Sequence, residues 1–178
     1  MNIKFSQMPV LGAMIGLVFA LMSLSSTVLA DGDHSQHGAM HNTMTPIASK
    51  LTVYKSATCS CCKKWVSHLQ DNGLNVTSQN HNQMSVIKDK YKIDNQYRSC
   101  HTGVSQDGFV FEGHIPAKFI KQFLKEKPVN AIGLAVPAMP VGSPGMEHKN
   151  KFMPYKVLQL NNDGSSQVYA EINNAFQQ

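Results

Sequence analysis

After residue 30, the chain has no apolar run long enough to cross a bilayer, which takes about 20 mostly apolar residues. It has one tryptophan, and its lysines are scattered rather than clustered. No stripe of basic and aromatic side chains marks a nucleic-acid surface, so the net charge of +5 reads as a solvated exterior. Cysteine is scarce at four residues. The repeated Cys-x-x-Cys pairs of a closed zinc site are missing, and the spacing does not suggest an iron–sulfur centre.

The start of the chain reads as a secretory signal. Lys4 supplies a positive head, Val10 to Met22 is a nearly continuous apolar run, and Val28-Leu29-Ala30 places small residues before a cleavage point after Ala30. The exported chain, Asp31 to Gln178, is long enough for one domain with one core. Residues 31–49 are polar and without periodicity. They carry His34, His37, Met40, His41 and Met44, and are expected to form a disordered arm. The arm is either a plain linker or a metal-collecting tail, since imidazole and thioether both suit copper.

Three cysteines crowd into Thr58-Cys59-Ser60-Cys61-Cys62-Lys63-Lys64-Trp65, and the fourth lies in Ser99-Cys100-His101-Thr102. Four cysteines in an exported chain are by default two disulfides. Here any framework would join three neighbours to one distant residue, for example Cys59–Cys62 with Cys61–Cys100. Such a framework staples little and looks more like a reactive or metal-binding centre.

The local signals give an element order. Leu51–Lys55 reads as a strand. Trp65, Val66 and Leu69 fall at helical spacing, with Gly73 as the stop, so the cysteines sit at a helix N-terminus where the dipole favours thiolate. Leu74–Thr77 reads as a second strand and Met84–Tyr91 as a second helix. A hairpin is predicted over 101–105 and 108–112 around an Asp-Gly turn. A third helix follows Pro116, with Phe119, Ile120, Phe123 and Leu124 as its stripe, and ends at Pro128. Residues 133–147 read as a long, stiff, proline-rich loop. A last hairpin is expected over Tyr155–Leu160 and Gln167–Ile172, with residues 174–178 as a tail. The order β-α-β-α-β-β-α is that of an α/β, thioredoxin-like domain over residues 50–173: a central sheet with flanking helices, extended by a C-terminal loop and β-hairpin. Such folds carry a cis-proline facing the dithiol turn; Ser99-Cys100-His101 fills that place here, which would bring Cys100 to the other cysteines.

Cys-Ser-Cys-Cys-Lys-Lys-Trp, Ser-Cys-His-Thr, Glu-Gly-His-Ile-Pro-Ala and Gly-Leu-Ala-Val-Pro-Ala-Met-Pro-Val-Gly-Ser-Pro-Gly-Met-Glu, in that order, together resemble the CopG-type copper-resistance family. The resemblance spans about Leu51 to Ala170. It implies a periplasmic, thioredoxin-like protein that binds several copper(I) ions in a thiolate-bridged cluster for copper resistance, with redox conversion of copper as a further role. Its partners would be copper ions and other periplasmic copper-handling proteins, with no nucleic acid and no membrane after signal cleavage. Ala138 stands where the family pattern expects glycine.

Cys59, Cys61, Cys62 and Cys100 are the candidate copper ligands, because soft thiolate selects copper(I) and can bridge ions. His101 could ligate or support a thiolate, whereas strand alternation would aim it away from Cys100. His114 divides between capping and metal contact. Met139 and Met146 divide between a copper entry site and a plug filling an apolar groove. Trp65 is assigned to the core, and His68 and His81 to the surface. The alternative activity is thiol–disulfide exchange through Cys59 and Cys62.

Overall fold

The structure, a computed structural model, describes residues 49–178. The signal and arm expected over residues 1–48 lie outside the described residues. No described helix is long and apolar enough to cross a membrane.

Strand β1 (Leu51–Lys55) leads through a short turn into helix α1 (Ser60–Asp71). Cys62, Trp65, Val66 and Leu69 form the buried stripe of α1, at the spacing that keeps side chains on one helical face. Gly73, at φ +81°, ends the helix: its N–H and that of Leu74 return to the Gln70 and Leu69 carbonyls. Leu74 is therefore spent on the helix stop, and β2 begins later than the sequence suggests, at Val76–Asn80. Helix α2 (Met84–Lys90), strands β3 (His101–Ser105) and β4 (Val110–Glu112), and helix α3 (Ala117–Glu126) follow.

The sheet runs β2-β1-β3-β4 through these strands. β1 and β2 are parallel, and β3 is antiparallel to both of its neighbours. This is the thioredoxin-like arrangement, and it places the end of β1, the cysteine turn and the start of β3 side by side.

One expectation is corrected. The stretch read as a loop from Gly133 begins inside a strand, β5 (Ala131–Ala135), parallel to β4 and antiparallel to β6 (Tyr155–Asn161). A strand covered on both faces, as β5 is, shows a continuous apolar run with no alternation to mark it. Gly133 fits there because a Cβ would fall 1.8 Å from the Val110 carbonyl oxygen. β7 (Ser166–Ile172) completes a seven-stranded mixed sheet with β6, so the terminal hairpin joins the sheet through β5.

Trp65, Leu69, Phe111, Ile120 and Phe123 are fully buried between the sheet and helices α1 and α3. Each such side chain contributes about 1.5–3 kcal/mol by leaving water.

Candidate metal centre

Cys59 is the N-cap of α1, and its sulfur accepts the Cys62 N–H at 3.3 Å. Cys61 lies in the first turn, and Cys62 points inward and is fully buried. Cys100 immediately precedes β3, whose first residue, His101, pairs with Lys55 at the end of β1. The topology thus brings all four cysteines together. Their sulfurs lie within 4.8 Å of one another.

Cys59 and Cys62 are joined by a disulfide, while Cys61 and Cys100 are free. Each free thiol abuts a different disulfide sulfur: Cys61 Sγ is 3.5 Å from Cys59 Sγ, and Cys100 Sγ is 3.5 Å from Cys62 Sγ.

Two histidines converge on Cys100. His101 Nδ1 is 3.2 Å and His114 Nε2 3.3 Å from its sulfur. The other nitrogen of each ring is taken by a carbonyl: His101 Nε2–H donates to Gly113 O at 3.0 Å, and His114 Nδ1–H donates to Pro144 O at 2.8 Å. A ring nitrogen that donates to a carbonyl leaves its partner with a free lone pair, so both lone pairs face the Cys100 sulfur. Strand alternation does not aim His101 away, because Cys100 lies outside the strand. The imidazole instead packs at a tilt of 39° against Trp65, ring centres 4.2 Å apart, and Trp65 Nε1–H donates to the Ile115 carbonyl.

Burial sets the protonation states. It holds His101 well below the ordinary histidine range, with His114 and Lys88 adding to the effect, and it lowers His114 as well. Both rings are therefore neutral. Burial, reinforced by neighbouring Cys61, pushes the Cys100 thiol up to about 12. The metal-free site thus holds a proton at Cys100, which precedes a strand and gains nothing from the helix dipole that favours thiolate at the start of α1. A soft metal would replace that proton. The donor set, thiols with neutral imidazoles, fits copper.

The support behind Cys100 is not apparent from the sequence. Glu112, fully buried at the end of β4, is paired with buried Lys88 of α2. The same carboxylate accepts the Ser99 N–H and the Thr102 hydroxyl, each at 2.6 Å. It therefore grips the chain on both sides of Cys100-His101. The only sequence signal is a charged residue ending an otherwise apolar Val-Phe-Glu strand. His68 is also corrected. It is half-buried, and its Nε2 accepts the Ala117 N–H at 3.0 Å, capping α3 beyond Pro116. His81 is half-buried and accepts the Gln83 N–H. Met139 is 48% exposed and Met146 half-buried, both on the loop beside Cys61.

A family model described as "Protein of unknown function, DUF411" matches residues 97–146. No curated protein sequence matches the chain at a significant level. Two solved structures, titled "Copper resistance protein copG" in Form 1 and Form 2, are each 40% identical to it, with a TM-score of 0.66. Each match covers 70% of this chain and 98% of the other. The chain belongs to the CopG copper-resistance protein family.

Proposed function

We propose that this chain is a periplasmic copper-binding protein of copper resistance and homeostasis. In its reduced form it holds several copper(I) ions between the thiolates of Cys59, Cys61, Cys62 and Cys100, with His101 and His114 completing the coordination at Cys100. The observation that carries the reading is the convergence of four sulfurs within 4.8 Å with two imidazole lone pairs trained on one of them. Copper(I) accepts two or three soft ligands, and thiolate sulfur bridges ions, so four cysteines suffice for a multinuclear cluster. Loading requires the Cys59–Cys62 disulfide to be opened by two electrons from an external dithiol, which is itself oxidised to a disulfide. The reverse step supplies a redox role: two thiolates closing to a disulfide release two electrons, which reduce two copper(II) ions to copper(I). Replacing Cys100 with Ser tests the assignment. The reading predicts a sharp fall in copper bound per reduced chain, and unchanged binding would exclude a four-cysteine cluster.

The disulfide itself favours a second reading, thiol–disulfide exchange with protein substrates through Cys59 and Cys62. Against it, Cys61 and Cys100 sit 3.5 Å from the disulfide sulfurs, where they would intercept a mixed disulfide before an external substrate resolved it. Reduction of insulin by the dithiol form would support this reading, and its absence would remove it.

A further inference from the structure

Beside the cysteine cluster lies an open groove of about 500 Å3, lined by Cys61, Met139, Met146 and His148 among others. Cys61 belongs to both places: it lines the groove, and its sulfur is 3.5 Å from Cys59 Sγ.

Met139 is not filling a gap in the core. Met139 is 48% exposed, and a large apolar side chain gains little by standing in water. The loop that carries it is tied down at several points. The Ser99 hydroxyl donates to Ala138 O at 2.5 Å, fixing Ala138 in a left-handed conformation at φ +61°. His114 holds the Pro144 carbonyl. Gly145 packs so closely on α1 that a Cβ would lie 2.8 Å from the Cys61 carbonyl oxygen. Ser99, His114 and Cys61 are all neighbours or members of the cluster, so the groove is built onto it.

Two thioethers, an imidazole and a thiol thus line one groove, and each is a donor suited to copper(I). The Glu147 carboxylate is turned to the Gly145 N–H at 2.8 Å. Lys64 also lines the groove and offsets the charge of Glu147, so the lining adds no net charge to retain a cation. The groove therefore suits passage better than storage.

We infer that this groove is a separate soft-metal transfer site, where Met139, Met146 and His148 take up copper(I) and pass it to Cys61. Transfer is ligand exchange. Copper–thioether bonds break, a copper–thiolate bond forms, the Cys61 proton leaves to solvent, and the metal keeps its oxidation state. The inference rests on the copper reading above.

The test uses the reduced full chain carrying 13C at its methionine methyl groups, with silver(I) as a redox-inert probe and Met→Leu variants to assign signals. Once the cysteines are filled, further silver is expected to shift the Met139 and Met146 methyl resonances. The Met139→Leu/Met146→Leu double variant, close in volume and checked by its unchanged backbone spectrum, is expected to load about tenfold more slowly while reaching the same final stoichiometry. Filled cysteines with unmoved methyl signals, or a double variant that loads at the wild-type rate, would overturn the transfer site and leave the cluster standing. If the cysteines themselves take no silver, the cluster reading fails, and the transfer site falls with it.

Discussion

His114 presents Nε2 to Cys100 Sγ at 3.3 Å because its Nδ1–H is committed to the Pro144 carbonyl, 2.8 Å away. A ring fixed in this way is already oriented for a metal shared with the thiol. Replacing His114 with Gln is expected to weaken copper(I) binding by at least about 10–100-fold, the cost of losing even an outer partner of a metal ligand. Competition against a copper(I) chelator measures it, with the denaturant midpoint of the metal-free protein as a folding control. Unchanged affinity in a folded variant would reduce His114 to packing.

The same burial gives the metal-free protein an acid limb. His101 and His114 titrate below the ordinary histidine value in the folded chain, so between their folded and unfolded values the unfolded chain binds more protons. Stability then rises with pH in that window. Their contribution is fully present above about pH 6.5 and is lost as pH falls below it, before carboxylates titrate. Urea midpoints should drop between about pH 7.5 and about pH 5. A flat profile across that range would contradict neutral, buried imidazoles.

Glu112 is the keystone behind Cys100, gripping Ser99, Thr102 and Lys88 from a fully buried position. Removing one member of a buried pair leaves the other charge uncompensated, at about 3–5 kcal/mol. Glu112→Leu should lose about that much in urea unfolding, and adding Lys88→Met should recover part of it. A loss under about 1 kcal/mol would mean that water reaches Lys88 once its partner is gone.

Ala138 holds φ +61°. A left-handed non-glycine residue costs about 1–2 kcal/mol, while glycine loosens the unfolded chain by about 0.4–1 kcal/mol. The strain outweighs the loosening. Ala138→Gly should therefore stabilise the protein by about 0.5–1 kcal/mol in denaturant unfolding, and destabilisation would show that the loop relaxes around alanine without strain.

Much of the fold and of the cysteine cluster is legible in the sequence because the signals are local. The Trp65, Val66 and Leu69 spacing and the Gly73 stop place α1, and the element order carries Cys100 beside β1. What escapes depends on distant partners. β5 has no alternation because side chains on both of its faces are covered, four of its five residues being buried. Lys88 and Glu112, 24 residues apart, become a pair only when α2 packs across the sheet. The His68 cap serves a helix 49 residues away. The aim of His101 is open in the sequence because it depends on distant partners, the Gly113 carbonyl and the Trp65 ring, and not on the strand start, which the sequence already places at His101.

The most direct test of the central claim is an anaerobic copper(I) titration of the reduced protein against a competing chelator, with metal and free thiols counted together. A thiolate cluster predicts that several copper ions per chain are retained and that all four thiols are protected from alkylation. Loss of copper to the chelator, with Cys59 and Cys62 closing readily into their disulfide, would contradict it and make dithiol exchange the activity to pursue.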